Sequence, residues 1–281
     1  MKKLVGFMIV CFCVGAICAQ ETTKIMTYNI KLDYPKEGKN SWENRKDWIT
    51  GQINFYEPRI FGVQEALPNQ MQYLDSTLVD FDYVGVGRDD GKSSGEYSAI
   101  FYNKIHFKPI KSGTFWLSET PEKVSMGWDA VCNRVCTYAL FKNKSTNQKF
   151  LVFNTHFDHV GKTARIESPK LIIRKIKELN IKNLPVVLMG DFNLEPETEN
   201  IQYIKKHLYD SKEISESVPF GPEGTFNGFH FDKPVTRRID YIFTSKKTIK
   251  VKKYAVLSDS KDCKYPSDHL PVLIEMSLLF D

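Results

Sequence analysis

Cysteine is scarce in this sequence, which contains six in 281 residues. Three of the six fall within the first twenty residues, so only Cys132, Cys136 and Cys263 remain downstream. This set lacks the paired spacings of a structural zinc site. On one strand, Cys132 and Cys136 would lie roughly 13 Å apart, at ~3.3 Å per residue, which is too far for a disulfide. Either one of them pairs with Cys263, or all three are buried and reduced, and we favour the second arrangement.

Long apolar runs are absent after the first twenty residues, so the sequence predicts no stable membrane insertion of the remaining chain. At the start, two lysines precede an almost unbroken apolar run, Leu4–Cys18, and Ala19 and Gln20 follow it. This pattern is typical of a secretory signal peptide, and the run is short for a bilayer-spanning helix, which needs about 20 residues. We therefore expect residues 1–19 to be a signal peptide and residues 20–281 to form one exported domain, periplasmic or secreted.

Two other interpretations of the N-terminal segment stay open. The segment could be retained as an anchor instead of being cleaved. Lipid attachment at Cys18 is less favourable, because the preceding residue, Ile17, is large where such a site needs a small one.

A strong charge excess, internal repeats and low-complexity tracts are also absent. The formal net charge is +5, and loss of Lys2 and Lys3 with a signal peptide would leave 5 − 2, or +3. That excess is too small to predict nucleic-acid binding by itself. The chain is 42% hydrophobic and 26% charged, which is ordinary for a globular protein with a sizeable core.

Short β-type runs alternate with amphipathic helical segments along the chain, which predicts a mixed α/β domain. The patterns predict helices over 42–55, 69–78, 162–179 and 198–207, with Pro169 near the first turns of the third helix or kinking it. They predict strands over 24–30, 60–64, 83–87, 98–102, 131–142, 150–156, 185–190, 238–244, 249–257 and 272–278. Several of these strands end in an acid, an amide or a histidine, where α/β proteins place their chemistry: Asn29, Glu65, His156, Asp191 and Asn193.

The segment 185–193 is the most informative of these strand ends. An all-apolar strand runs into Gly190, whose missing side chain lets the backbone turn closely, and Asp191 and Asn193 then present a carboxylate and an amide. Mg²⁺ prefers oxygen ligands, usually one or two carboxylates together with waters and substrate phosphate. An Asp-x-Asn sequence is also common in plain turns, which is the alternative interpretation.

Two further strand ends offer oxygen ligands. Glu65 follows the apolar strand 60–64 and is a plausible direct metal ligand, which Gln64 could support. Asn29 ends the strand before it, and its side-chain carbonyl suits the same ion.

Histidine is rare as well, with six in the chain. His156 ends a strand, and His269 follows Asp268 near the C-terminus, so both fit acid–base chemistry near neutral pH. Asp240 is an acid inside an apolar strand and needs a partner, for which His269 is a candidate. The alternative partner of Asp240 is one of two neighbouring arginines, at positions 237 and 238. His106, His207 and His230 lack such a setting, and His159 with Asp158 stays open.

The order of these segments resembles the successive motifs of the endonuclease/exonuclease/phosphatase superfamily, over residues 24–277. The motifs that carry the resemblance are Asn29, Gln64-Glu65, Asn154-Thr-His156, Gly190-Asp-Phe-Asn193, Arg238-Ile-Asp-Tyr-Ile-Phe243 and Ser267-Asp-His269. The resemblance implies a deoxyribonuclease I-like fold, a four-layer α/β/β/α sandwich of two mixed sheets flanked by helices. It also implies a hydrolase that uses Mg²⁺, with Mn²⁺ as a substitute, to attack a phosphate ester with water.

The resemblance assigns roles position by position. Glu65 is expected to be the principal metal ligand, with Asn29 and Asp268 acting on the metal or its waters. His269, oriented by Asp240, is expected to activate water or to stabilise the transition state. His156 is expected to contact the scissile phosphate, and Asp191 and Asn193 to position the nucleophile and the phosphoryl oxygens.

Three kinds of residue complete the predicted site. Glu96 stands where the family often has a carboxylate that pairs with the first histidine. Arg134 resembles the family's strand arginine and is predicted to contact substrate, although a structural ion pair is equally compatible. Trp116 and Trp128 are predicted either to stack on a base or sugar or to close the core.

The substrate is not fixed by these motifs. A phosphodiesterase, and a nuclease in particular, is slightly favoured, which makes a nucleic acid or nucleotide the candidate partner. The alternatives are sugar-phosphate, inositol-phosphate or sphingolipid hydrolysis. A catalytically inactive protein that binds phosphorylated ligands is the alternative from another class. We expect a monomer.

Overall fold

A computed structural model describes residues 21–279, and the predicted signal peptide therefore lies outside the described residues. The strands are β1 (Thr23–Asn29), β2 (Ile60–Gln64), β3 (Phe81–Val84), β4 (Ile100–Asn103), β5 (Phe107–Trp116), β6 (Val135–Asn143), β7 (Lys149–His156), β8 (Val186–Asp191), β9 (Leu208–Asp210), β10 (Asp240–Ser245), β11 (Ile249–Val256) and β12 (Val272–Leu278). The helices are α1 (Trp42–Tyr56), α2 (Pro68–Thr77), α3 (Lys162–Leu179) and α4 (Glu199–His207), and a short 3₁₀ segment spans Pro35–Asn40.

The strands form two six-stranded sheets, with the orders β11-β12-β1-β2-β4-β3 and β5-β6-β7-β8-β10-β9. Each sheet has one parallel pair at its centre, β1–β2 in the first and β7–β8 in the second, and antiparallel neighbours on either side. In both pairs a helix makes the crossover, α1 or α3, as parallel neighbours require. The two halves of the molecule therefore repeat one arrangement.

Three apolar clusters define the layers. Ile25, Ile60 and Val187 belong to the cluster between the two sheets. A second cluster joins the outer face of the first sheet to α1 and α2, and a third joins the outer face of the second sheet to α3 and α4. The central strands are buried on both faces and read as continuous apolar runs for that reason. The predicted four-layer α/β/β/α sandwich is confirmed.

Asn154, inside β7, links the two sheets through their shared core. Its amide nitrogen donates to the carbonyls of Val63 (2.9 Å) and Ala99 (2.8 Å), and its oxygen accepts from Gln64 Nε2 (2.6 Å). Gly62 leaves room for this side chain, because a Cβ there would lie 2.6 Å from the Asn154 amide. The link fixes the ends of β2 and β7 relative to each other.

The sequence missed β5 and β9 and placed the start of β6 too early, at residue 131. β5 is an edge strand with a bulge between Pro109 and Lys111, and proline and glycine in its sequence hide the strand pattern. α3 begins at Lys162 and continues through Pro169, so the proline lies inside the helix.

The cysteines among residues 21–279 are free thiols. Cys136 is buried and Cys132 half-buried, but Cys263 is exposed, so the expectation that all three are buried is wrong for Cys263. Within residues 21–279, no helix combines the length and the apolar character needed to cross a bilayer.

Candidate active site

The two central parallel pairs place four polar residues at one edge of the sandwich. Asn29 ends β1, Glu65 directly follows β2, and His156 and Asp191 end β7 and β8. The register sets His156 beside Asp191. Because the carboxyl ends of both parallel pairs reach the same edge, side chains from two different sheets meet there. Asn29 Nδ2 donates to Asp191 Oδ2 across the sheets at 3.0 Å.

The backbone at this edge is unusually constrained. Lys31, Glu65 and Asn193 have φ values of 58°, 63° and 51°, in the left-handed region that residues with a side chain rarely adopt. Such conformations concentrate at functional sites, where surrounding structure holds them. Gly190 was expected to let the backbone turn closely, but it lies inside β8 with φ 147°. A Cβ there would come within 2.0 Å of the carbonyl oxygen of Thr155.

An acidic corner lies on the side of the first sheet. Glu65 accepts hydrogen bonds from Asn29 Nδ2 (3.0 Å) and the Leu32 amide (3.1 Å). Lys31 Nζ lies 3.7 Å from Glu65 Oε2 and 3.3 Å from Asp268 Oδ2, so an ammonium group already stands between these carboxylates. The Asn29 side-chain oxygen accepts from the Lys31 amide (3.1 Å), so Asn29 orients the acids here, and its metal contact stays a prediction.

The buried pair His269–Asp240 lies beside this corner. His269 Nδ1 is 2.9 Å from Asp240 Oδ2, which also accepts from the Thr225 hydroxyl at 2.6 Å. The alternative arginine partners are engaged elsewhere, Arg238 with Asp210 and the neighbouring arginine at 237 with a glutamate at 195. The structure therefore brings His269 and Asp240 together.

His156 faces the same centre from the second sheet. Its Nε2 lies 3.5 Å from Asp191 Oδ2 and 3.2 Å from Asn193 Nδ2, and its Nδ1 lies 3.9 Å from Glu96 Oε2. His269 Nε2 lies 3.7 Å from the same Asp191 oxygen. One buried carboxylate oxygen thus stands between two imidazoles.

The charges around Asp191 shift three pKa values. Burial, and then the Asp240 carboxylate, raise the pKa of Asp191 to about 7. Burial alone would lower the pKa of His269, but the carboxylates of Asp240 and Asp191 outweigh it and raise that pKa to about 10. Burial, and then two nearby arginines at 134 and 88, hold the pKa of His156 well below its usual value. At neutral pH His269 is a cation and His156 is neutral.

Two groups of side chains could hold a metal ion. Asp191, Asp240 and His269 offer ligand atoms within 4.8 Å of one another, and Glu65 and Asp268 offer oxygens around the Lys31 ammonium. The first group is the poorer one, because His269 Nδ1 is engaged by Asp240 and hard cations prefer oxygen. The Glu65–Asp268 corner therefore fits Mg²⁺ or Mn²⁺ better.

These residues surround a cleft of about 350 Å³. Its lining comprises Lys31, Leu32, Glu65, Arg88, Glu96, Cys132, Arg134, His156, His159, Asp191, Asn193, Phe226, Arg237, Ile239, Asp268 and His269. Every predicted catalytic and metal-binding residue except Asn29 and Asp240 is on that wall, and these two lie directly behind it, bonded to Asp191 and His269.

The two predicted tryptophans lie outside the lining of this cleft. Trp116 is buried and its indole nitrogen donates to the Arg88 carbonyl at 2.7 Å. Trp128 packs against the apolar cluster under α3. The prediction that they stack on substrate is therefore not supported by their positions, and the alternative of core packing fits both.

Sequence reasoning missed several cleft residues, among them the charged residues Lys31 and Arg88. Lys31 is two positions from Asn29, and its proximity to a predicted ligand was a usable signal. Arg88 had none, because it lies in a polar loop and only the folded chain brings it to the cleft, where it pairs with Glu96 at 2.7 Å. The sequence left open whether His159, in the loop after His156, belongs to the site. It lines the cleft, and its Nδ1 is 3.0 Å from Arg134 Nη2.

The chain is similar in structure to several solved bacterial proteins. It is 38% identical to an endonuclease/exonuclease/phosphatase family protein from Bacteroides thetaiotaomicron, with a TM-score of 0.89, over 93% of this chain and 99% of that one. It is 40% identical to the mannosyl-6-phosphatase of Bacteroides thetaiotaomicron VPI-5482, with a TM-score of 0.87, over 92% of this chain and 100% of that one.

Curated relatives are more distant and longer. Human Nocturnin is 22% identical over 90% of this chain and 65% of its own length. The Ccr4 exoribonuclease subunit of the CCR4-Not complex from Mycosarcoma maydis is 22% identical over 92% of this chain and 51% of its own length. The chain thus spans between half and two thirds of the length of these two relatives. The sequence model of the Endonuclease/Exonuclease/phosphatase family matches residues 26–269, and the chain belongs to this family of hydrolases.

Proposed function

We propose that this protein is a divalent-cation-dependent phosphoesterase that removes the phosphate from a small phosphorylated sugar. The observation that carries the proposal is Asp191, a buried carboxylate 3.5 Å from His156 and 3.7 Å from His269, beside the Glu65–Asp268 corner. A base, a cation and oxygen ligands in one cleft are what water attack on phosphorus requires.

The acidic corner fits a divalent cation. Lys31 is a stand-in for it, because its ammonium group occupies a position between the oxygens of Glu65 and Asp268. Glu65 and Asp268 would hold Mg²⁺ or Mn²⁺, with Asn29 orienting Glu65. When bound, the ion supplies positive charge that polarises the phosphoryl group.

The chain's own residues supply proton transfer and charge. Asp191, with its pKa near 7, is suited to take a proton from the attacking water. His269, held as a cation by Asp240, is suited to offset charge on the phosphoryl oxygens, and this favours the second of its two expected roles. Asn193 and neutral His156 lie 3.2 Å apart and can orient the same oxygens.

The sugar-phosphate assignment rests on similarity and on size. The mannosyl-6-phosphatase is 40% identical over its whole length, whereas the exoribonuclease subunit Ccr4 is 22% identical over part of its length. A cleft of about 350 Å³ is at the lower end of small-molecule sites, which span roughly 300–1,000 Å³. A nuclease is the second candidate, because the relative Ccr4 is an exoribonuclease subunit.

The test is a substrate panel in Mg²⁺, in Mn²⁺ and in chelator. The panel contains hexose 6-phosphates, an inositol phosphate, sphingomyelin and a short RNA and DNA. We expect release of phosphate from a hexose phosphate that chelator abolishes. Cleavage of RNA or DNA alone would replace the proposal by the nuclease, and phosphate binding without any turnover would support an inactive binding protein.

A further inference from the structure

We propose that Arg134 and Arg88 form a subsite for the third terminal oxygen of a phosphomonoester and so select monoesters over diesters. The inference rests on the proposed phosphoesterase function and adds its substrate class. It assigns the specificity to these two arginines and not to the acidic corner.

The first observation is that Arg134 has unused donors. The side chain is 5% exposed and lines the cleft, yet its Nε and Nη1 have no hydrogen-bond partner among residues 21–279. Its other contacts are His159 at 3.0 Å, through Nη2, and Asp158, whose Oδ2 lies 3.5 Å from Nε. A buried donor without a partner is destabilising, so a buried guanidinium in this state is prepared for an acceptor.

Asp158 forms a buried ion pair with Arg134 at Nε, as the alternative interpretation of this arginine expected, but it does not reach Nη1. Its Oδ1 accepts from the amides of Val160 (2.9 Å) and Gly161 (2.6 Å), and its Oδ2 accepts from the Val131 amide (3.2 Å). These bonds fix the carboxylate to its own loop. Nη1 of Arg134 is therefore available to a ligand.

Arg88 extends the subsite with a second guanidinium. It lines the same cleft, bonds Glu96 through Nη1 at 2.7 Å, and leaves Nε without a hydrogen-bond partner in the described part of the chain. Its backbone is held by the Trp116 indole. Three donor nitrogens at this end, two on Arg134 and one on Arg88, thus make no hydrogen bond within the described residues. The Nε of Arg134 and the Nε of Arg88 each face a carboxylate, of Asp158 at 3.5 Å and of Asp89 at 3.9 Å, so Nη1 of Arg134 is the donor without either kind of partner.

The number of terminal oxygens distinguishes the two ester classes. A monoester has three terminal oxygens and carries close to two negative charges at pH 7, whereas a diester has two such oxygens and one charge. The acidic corner with its cation, and the donors Asn193 and His269, can serve two oxygens. The third terminal oxygen only accepts hydrogen bonds, and guanidinium groups supply the donors that it needs. In a diester the third oxygen is bonded to carbon, so it is a poorer acceptor and would leave the buried guanidinium donors unpaired.

The experiment compares Arg134→Gln and Arg134→Lys with the wild type. It measures kcat/KM for 4-nitrophenyl phosphate and bis(4-nitrophenyl) phosphate, and calorimetric binding of inorganic phosphate and dimethyl phosphate in Mg²⁺. We expect Arg134→Gln to lower monoester kcat/KM by about 10²–10³-fold, as loss of a transition-state donor does. Diester turnover and dimethyl phosphate binding should change less than about threefold.

Arg174→Gln is the matched control, because this arginine on α3 is exposed and pairs with Glu178 away from the cleft. It should leave both substrates unchanged. Arg134→Lys, which keeps the charge but not the planar guanidinium group with its several donors, should recover part of the phosphate binding. If Arg134→Gln is poorly folded by circular dichroism, Arg88→Gln, in the half-buried loop, is compared in the same way.

An equal loss of monoester and diester activity would overturn the subsite. So would phosphate binding that does not depend on Arg134 or Arg88. A wild type that binds phosphate through Arg134 but hydrolyses no ester would instead contradict the proposed function while supporting the subsite.

Discussion

Asp240 shows how one residue behind the cleft sets the chemistry of another inside it. Its Oδ2 is 2.9 Å from His269 Nδ1 and is fixed by the Thr225 hydroxyl. The carboxylate, with Asp191, keeps His269 protonated well above the pH at which histidine normally loses its proton. A neutral side chain of the same shape at 240 would remove most of that effect.

Asp240→Asn should therefore lower the pKa of His269 from about 10 in the metal-free protein. The folded pKa lies above the ordinary value of 6.5, so the pair stabilises the fold fully below pH 6.5 and loses that contribution as pH rises to about 10. The difference in unfolding free energy between wild type and Asp240→Asn should narrow over this interval. Urea titrations in chelator, with histidine-ring NMR shifts, measure it. A difference that is constant with pH would contradict the assignment.

The same substitution, Asp240→Asn, tests the role of the protonated His269 side chain in turnover. Because His269 would lose its orientation and its charge, kcat should fall by about 10²–10⁴-fold, the range of general acid–base and orienting groups. Activity within threefold of wild type would remove His269 from the mechanism.

At the scale of the element, β7 carries both a structural and a chemical residue. His156, at its end, enters the cleft, whereas Asn154, two positions earlier, binds the carbonyls of Val63 and Ala99 in the other sheet. Side chains two apart on a strand share a face, so the face that ties the sheets together inside the core ends in the active site. β7 thus couples packing to catalysis.

Asn154→Ala should lower the free energy of unfolding by about 3 kcal/mol, because it leaves two buried carbonyls and one amide with fewer partners. Asn69→Ala is the control, since Asn69 is exposed on α2 and should change stability by less than about 0.5 kcal/mol. Denaturant unfolding measures both. Equal effects of the two substitutions would show that the link between the sheets adds no stability.

At the scale of the whole molecule, the site lies at the seam between the sheets. Glu65 and Asp268 flank strands of the first sheet, and Asp191 and His156 end strands of the second. A ligand that binds at this seam stabilises the folded chain as a unit, because unfolding either half destroys the site.

Mg²⁺ at about 100 times its Kd should stabilise the protein by about 2.7 kcal/mol, a rise in Tm of roughly 5–10 °C for a domain of this size. Glu65→Gln should lose most of that rise, because the remaining acid faces Lys31. Differential scanning calorimetry with and without chelator measures it. A rise that persists in Glu65→Gln would place the cation elsewhere, and Asp191→Asn would then test the second group of ligands.

We also propose that the chain is exported after cleavage before Gln20, and that it acts as a monomer. Expression of the full chain in a bacterial host should give a periplasmic or secreted product whose N-terminus, by mass spectrometry, begins near residue 20. Light scattering should give the mass of one chain. A product that retains its first residues in the membrane fraction would support the anchor instead.

The sequence by itself determined the class of fold, both ends of α3, β2 and β12 to the residue, and most of the acids, amides and histidines of the site. These follow from local rules, since a buried strand reads as an apolar run and a polar residue at its end is conspicuous. It also indicated Asp240 as the partner of His269, because an acid in an apolar strand needs one.

Only the tertiary structure decided which charged groups meet. Arg88 pairs with Glu96, 8 positions away, and Lys31 pairs with Asp268, more than 200 positions away. No local sequence pattern specifies either contact. The same holds for Asn154, whose motif indicated chemistry but whose side chain ties the sheets, and for Trp116, which supports a loop. Periodicity reports how one segment is buried, whereas a site is made by the packing of segments that the chain keeps far apart.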